Sequence, residues 1–408
     1  MERKNYKFQD VCEIVTDYVA NGSFKSLADN VQYSDKKDYA RLIRLVDFNN
    51  NYDEKNAVWV PESSYNFLKK SVLYGDEVII SNVGANLGTV FKCPKLTYPM
   101  TLGPNSLLVR TNYLCNQNYL YYYLKSKIGY SKLMALVSGS AMPKFNKTEL
   151  RNMEISLPDR AYQDKVVEVL IKIDKKIELN NKINNNLHEL LKNQYYKMFV
   201  EGKKESWIED KLGNYLSVDR GLSYKGQFLS ETGVPMINLG NVMPNGVFRI
   251  EKNKYYSGDY KDKVTIKVGD IVIANTDMTQ NREVIGTPII VPPIYGDKII
   301  FSHHIYGLRN LKLPKMYIFY TLLTDEWNAI AGGSATGTTV LALPKETIEN
   351  YVIAIPDNKS LQLFDNIAET IQSKRNQILL ENIKLEQLRD TLLPKLMNGE
   401  IDLDNIEI

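Results

Sequence analysis

Few side chains in this sequence are suited to making or breaking bonds. There are 3 histidines. His303 and His304 are adjacent, with no Cys, Asp or Glu at ligand spacing, so the pair does not read as a metal site. On a strand the two rings would point to opposite faces, one packed and one solvated, with the solvated one available to face a nucleic acid. His188 falls on a predicted helix off its apolar stripe, where solvent or a partner surface is the expected environment. Cys12, Cys93 and Cys115 are far apart and odd in number. They suggest neither a disulfide framework nor a metal knuckle, and a reducing, cytoplasmic compartment is expected. Val291-Pro292-Pro293-Ile294-Tyr295 approaches the Asn-Pro-Pro-aromatic motif of adenine methyltransferases but lacks the Asn that would hold the amino group. It reads as a loop or edge strand. Gly332-Gly333-Ser334-Ala335-Thr336-Gly337-Thr338-Thr339 has the outline of a phosphate loop, with Thr338 where the lysine should be. Two readings stand for it: a Gly/Thr turn, or a backbone approaching phosphate.

Polar loops carry more of the recognition chemistry. Ser81-Asn82-Val83-Gly84-Ala85-Asn86 follows an apolar run, and Asn pairs bidentately with adenine. Asn275-Thr276-Asp277-Met278-Thr279-Gln280-Asn281-Arg282 offers Gln, Asn and Arg, which read adenine and guanine edges. Ser140, Lys144 and Lys147 in one stretch, and Thr336 and Thr338 in another, are candidate phosphate contacts. Against each residue alone stands ordinary turn chemistry or a solvated lysine. The two polar loops gain weight as a pair because both occupy one position of an internal repeat.

That repeat runs the length of the chain. Gly75-Asp76-Glu77-Val78-Ile79-Ile80 returns as Gly269-Asp270-Ile271-Val272-Ile273-Ala274, and Gly88-Thr89 as Gly286-Thr287. Tyr119–Leu124 returns as Tyr317–Leu322, Gly139-Ser140-Ala141 as Gly333-Ser334-Ala335, and Asn152–Pro158 as Asn350–Pro356. The offset runs from 194 (Gly75 to Gly269) to 199 (Gln163 to Gln362), and the order never changes. Each copy opens with a mixed region. In the first, strands are expected at Gly75–Ile80, Leu107–Arg110 and Met153–Leu157, with a helix over Asn118–Ser131 on which Leu120, Leu124 and Ile128 fall four apart. Each copy then passes a proline into a long helix. Val166, Leu170, Ile173, Ile177, Asn180, Asn184, Leu187, Leu191, Gln194 and Met198 step alternately by four and three, as do Phe364, Ile367, Ile371, Lys374, Ile378, Glu381, Leu385, Leu388, Leu392 and Lys395. A 3.5-residue period is that of a coiled-coil seam, and Asn180 and Asn184 on it would either enforce register and antiparallel pairing or mark where the seam opens for a partner.

The expected fold is therefore α+β: two pseudo-symmetric globular domains joined by two long helices that form an antiparallel coiled coil. The divisions fall at 1–158, 159–203, 204–356 and 357–408. The chain of 408 residues, 44% hydrophobic and 24% charged, is long enough for two cores, and its composition is not that of a disordered or fibrous chain. No apolar run reaches the roughly 18 residues a membrane helix needs, and the charged first residues do not read as a secretory signal. A net charge of +3 is small for a chain that grips nucleic acid by bulk charge alone.

The duplicated order resembles the specificity subunits of Type I restriction–modification systems. The resemblance rests on Gly139-Ser140 through Ile155-Ser156-Leu157-Pro158 and Gln163, on Gly333-Ser334 through Ile353-Ala354-Ile355-Pro356 and Gln362, and on Gly75–Gly88 and Leu120–Ser126. It implies two target recognition domains reading the halves of a bipartite double-stranded DNA site, and a helical spacer docking two adenine-N6 methyltransferase subunits. S-adenosylmethionine would then belong to those subunits, with ATP and magnesium in motor–nuclease partners, and this chain would hold no cofactor, no metal and no catalytic residue. The small charge fits, since partners would share the phosphate contacts. The rival reading is a coiled-coil adaptor that binds proteins and no DNA.

Overall fold

The computed structural model describes residues 2–139, 142–279, 281–401 and 403. Ser140 and Gln280 lie outside the described residues. The architecture is α+β, and the chain divides into two compact units, Met1–Lys176 with Leu385–Ile408, and Ile177–Lys384.

In the first unit, a four-stranded antiparallel sheet has the order Cys12–Asp17, Ser106–Thr111, Val78–Ser81, Val90–Lys92. Its central strands are buried on both faces, which explains why Val78-Ile79-Ile80 and Leu107-Leu108-Val109 read as continuous apolar runs. A second sheet orders Val58–Val60, Ala40–Ile43, Met100–Leu102, Val72–Leu73, its central pair parallel. Arg3–Lys7 pairs with Glu154–Pro158. The second unit repeats this connectivity. One sheet orders Ser217–Arg220, Ile305–Arg309, Ile271–Ala274, Pro288–Ile290; the other orders Leu229–Ser230, Lys254–Tyr256, Val234–Ile237, Ile299–Phe301, Thr265–Ile266, again with a central parallel pair.

The single helix expected over Asn118–Ser131 is two helices, Gln117–Lys125 and Lys127–Ala135. Ser126 is extended and its side chain accepts the Gly129 N–H, so it ends one helix and caps the next. The break turns Ile128 outward to 39% exposure while Leu120 and Leu124 stay fully buried. The second unit breaks likewise between Lys315–Thr321 and Asp325–Ser334, where Thr324 accepts from the Trp327 N–H. Gly88 and Gly286 both have positive φ, and a β-carbon there would stand 2.3 Å from Met134 Cε and 2.5 Å from Ala331 Cβ. Each repeat thus needs glycine where the loop after the central strand crosses the second short helix.

The long helices are Arg160–Tyr195 and Asn358–Asn398. In the first unit Tyr162 donates to the Leu396 carbonyl at 3.1 Å and Arg389 to Asp174 at 3.0 Å. In the second, Asn180 donates to Asn382 at 2.8 Å, and the rings of Tyr195 and Phe364 lie 5.8 Å apart. Within each unit, numbers rise on one helix as they fall on the other, so the two segments run antiparallel.

The inward face of the second helix differs from the expected stripe at every second position, and that of the first only beyond Asn180. On the second helix Phe364 and Ile378 are buried, and Ile371, Leu385 and Leu392 are half-buried. The residues between them on the inner face are Ala368, Arg375, Asn382, Arg389 and Leu396, one place beyond Ile367, Lys374, Glu381, Leu388 and Lys395. Ile367 keeps partial packing, but Leu388 is 47% exposed. The cause is polar: Asp174 and Asn180 on the first helix are met by Arg389 and Asn382, and an apolar count cannot register that. On the first helix Val166, Leu170, Ile173, Ile177, Asn180 and Leu191 are buried. Leu187, Gln194 and Met198 are only half-buried, while His188, Tyr195 and Phe199 beside them are buried. A straight α-helix drifts from a strict seven-residue repeat by about 20° per heptad, which moves the inner face on by one residue.

His188 is thus packed rather than solvated: 2% exposed, its Nε2 lies 2.8 Å from the Asn245 carbonyl and its Nδ1 3.4 Å from Tyr320 Oη. Burial, the main cause, and then Arg375 lower its pKa to about 4. A histidine depressed in the fold binds fewer protons than in the unfolded chain between its folded and unfolded values. Stability therefore falls as pH drops from 6.5 toward about 4. Relative to His188→Gln, wild type should lose about 3 kcal/mol more over that window, from roughly 1.4 kcal/mol per pKa unit. Denaturant melts of both proteins at the two pH values check this, and equal losses would refute the assignment.

Candidate nucleic-acid interface

The polar loop of each unit is held by one pattern of bonds. Asn82 Nδ2 donates to the Phe145 carbonyl at 2.9 Å, and the Phe145 N–H donates to the Asn82 carbonyl at 3.2 Å. Val83 bridges Lys144, and Lys144 exchanges backbone bonds with Ser138. In the second unit the Leu343 N–H donates to the Asn275 carbonyl at 2.8 Å, and Thr276–Asp277 pairs with Leu341–Ala342. The structure therefore brings the loop after the central strand against the loop after the second short helix, once in each unit.

Within these sites the candidates divide. Ser81, Asn275 and Thr276 are buried. Asn82 and Asn275 spend their amide N–H groups on backbone, at Phe145 and His303, and act as loop holders rather than base readers. Asn86, Lys144, Asn281, Arg282, Thr336 and Thr338 are exposed. Lys147 is not free for phosphate, because its Nζ pairs with Asp17 at 2.9 Å. Arg282, with φ +55°, donates Nη1 to the Gly332 carbonyl at 2.6 Å and ties the two loops together. Thr336 shares two backbone bonds with Ala342 and leaves Gly337–Thr339 as an exposed tip.

The phosphate-loop outline is ruled out by geometry as well as by the missing lysine. Gly332 and Gly333 end the helix Asp325–Ser334, whereas a phosphate cradle precedes a helix N-terminus. Tyr295 of the near-miss motif bonds Asn253 and packs against Phe248, in a turn after Pro288–Ile290. His303 and His304 are not on a strand: they form the turn before Ile305–Arg309, and their rings lie 3.9 Å apart rather than on opposite faces. His304 Nδ1 sits 3.0 Å from Thr276 Oγ1.

One residue central to the second loop was not singled out from sequence. Asp277 is 1% exposed and accepts from Thr279 N–H and Oγ1, Val284 N–H and Ile285 N–H, at 2.7, 2.7, 2.7 and 3.2 Å. Asp followed two residues on by Thr in a turn was the available signal. Burial pushes the Cys12, Cys93 and Cys115 thiols up in pKa, as it does for inert thiols. Among the described residues no His/Cys/Asp/Glu group could hold a metal ion, and no helix is long and apolar enough to cross a membrane.

Two α+β modules of one connectivity, each presenting a paired polar loop, make this a duplicated α+β protein, and comparison with known proteins finds others like it. Residues 2–189 match the Type I restriction modification DNA specificity domain. The MjaIX specificity subunit of Methanocaldococcus jannaschii is 26% identical over 312 residues, 71% of this chain and 70% of that one. The HindI specificity subunit of Haemophilus influenzae is 19% identical over 389 residues, 74% of this chain and 80% of that one. A crystal structure of a Type I restriction–modification S subunit from M. genitalium superposes with a TM-score of 0.54 at 14% identity, covering 97% of this chain and 96% of that one. Residues 2–189 are thus similar to the DNA specificity domain of Type I restriction–modification systems, and the chain is similar to specificity subunits of such systems over about three quarters of its length.

Proposed function

We propose that each module reads one half of a bipartite double-stranded DNA site. The modules are the residues 1–158 and 204–356, and the helical segments 159–203 and 357–408 pair as a pseudo-symmetric antiparallel coiled coil that serves as spacer. Two adenine-N6 methyltransferase subunits dock on this chain, bring S-adenosylmethionine and extrude the target base in each half-site. Motor–nuclease subunits with ATP and magnesium complete the restriction assembly in the cytoplasm. This chain contributes no catalytic group.

The observation that carries the reading is the repeated loop pair: Asn82, Val83 and Gly84 against Pro143, Lys144 and Phe145, and Asn275, Thr276 and Asp277 against Leu341, Ala342 and Leu343, each rooted in the same four-stranded sheet order. Polar, exposed tips on rigid strands suit base edges. Co-purification with the methyltransferase subunits, followed by methylation mapping of the host genome, tests it. The expected result is one split motif methylated on both halves. Replacing Asn281 and Arg282 by alanine should relax one half only, and a change in both halves or in neither would overturn modular reading.

A further inference from the structure

We propose that the second module holds a phosphodiester site that the first lacks, built from Arg220, Lys254, His303 and His304, and that its two imidazoles make that half of the DNA contact pH-dependent. The inference rests on the DNA-reading function above and names where the second module grips the backbone.

The cluster is set by strand register. Arg220 pairs with Tyr306, and the Gly221 and Leu222 N–H groups donate to the Ile305 and Phe301 carbonyls, so this segment runs alongside the histidine turn. A β-carbon on Gly221 would lie 2.2 Å from the Ser302 carbonyl oxygen, so only glycine permits the approach. Lys254 pairs with Met236, which pairs with Ile300 two residues before Ser302. Tyr224 packs 5.6 Å from His303 and floors the stacked imidazoles.

The first module has the same frame with different side chains. Asp17 pairs with Leu107 as Arg220 pairs with Tyr306. Val58 pairs with Leu42 as Lys254 pairs with Met236. The Asn82 N–H donates to Asn105 as the Asn275 N–H donates to His304, so Pro104-Asn105 stands at the place of His303-His304. One acidic and three neutral residues in one repeat stand where the other has four cationic or protonatable ones.

No ion pair among the described residues offsets them. Arg220 and Lys254 are exposed and form no ion pair among the described residues. His303 Nδ1 is buried with no hydrogen-bond partner among the described residues. Around His304 stand Arg220 and Tyr224 from one segment, Lys254 from the neighbouring sheet, Tyr306 on its own strand, and Asp277, whose carboxylate oxygens are filled by four donors. Burial first, and then His303, Lys254 and Arg220, hold the His304 imidazole below its ordinary range. A phosphodiester among these cations favours the imidazolium, so the bound pKa exceeds the free one. Affinity therefore rises as pH falls from above the bound value toward the free value.

Only three histidines are present, so imidazole NMR of the full chain is assignable with single variants. A duplex carrying the mapped target should move the His304 midpoint upward and leave that of His188 unmoved. A shift produced equally by inorganic phosphate, and not extended by duplex, would overturn the DNA assignment. In binding assays, affinity for the duplex should rise about tenfold between about pH 8 and about pH 6, one pKa unit of linkage. His303→Gln with His304→Gln should be flat across that range. Arg220→Gln with Lys254→Gln, both at exposed positions, should lower the log–log salt slope by about two. An unchanged pH dependence in the histidine variant, with DNA still bound, sinks this proposal alone. No duplex binding by wild type at any pH sinks the DNA-reading function as well.

Discussion

Phe364→Ala should cost the second unit about 3–5 kcal/mol, the range for removing a fully buried phenylalanine. Phe364 has 0% exposure and its ring meets Tyr195, Phe199 and Tyr320 at 5.8, 5.3 and 6.0 Å, mostly edge to face. It is where the second long helix enters the core of the module, with Leu191 and Trp207 in the same cluster. The alanine leaves a hole that four large, mutually wedged rings cannot close without leaving their rotamers, which is why the loss falls at the upper end for a core position. Leu388→Asp is the contrasting measurement. A period-3.5 reading makes it as damaging, whereas the structure, with Leu388 47% exposed and Arg389 turned inward, predicts a change within about 0.5 kcal/mol in the isolated chain. Urea melts of both variants decide between the two registers, and comparable large losses would refute the one described.

Asp277→Ala should dissolve the recognition loop of the second module while leaving the first intact. Its carboxylate gathers three backbone N–H groups and one hydroxyl from residues 279–285. Without it those donors are orphaned beside a buried strand pair, at about 1–3 kcal/mol each unless the loop opens to water. Opening relieves the penalty and scatters Asn281 and Arg282, so the expected outcome is loss of selectivity more than loss of fold. In methylation mapping, one half of the split motif should become degenerate and the other remain sharp. Proteolysis should cut near 278–283 in the variant and not in wild type. A variant with wild-type selectivity in both halves would remove the loop from recognition.

The large plan was legible because it rests on patterns that survive without coordinates. A repeat shows in spacing, strands buried on both faces show as unbroken apolar runs such as Val78–Ile80, and a proline after Leu157 or Ile355 shows where a strand must stop. The duplicated order also led to the resemblance that the comparisons with known proteins share. What stayed hidden depended on which residues meet across the fold. Leu388 and Ile128 looked like core by type and spacing, but a polar partner on another helix and a serine cap rotated them out. His188 looked solvated and is buried, because its pairing carbonyl at Asn245 lies 57 residues away. Lys147 looked free and is paired with Asp17, 130 residues earlier. Asn82 and Asn275 have the right chemistry for adenine, but their amides are turned inward to hold the loops.

Periodicity records each residue's own preference, and so it determined the elements, their order and their duplication. Burial, ion pairing and the packing of Tyr224 on His303 are properties of pairs far apart in the chain. Only the tertiary structure, by setting strand register and helix phase, decided which polar groups are spent on the scaffold and which remain at the surface.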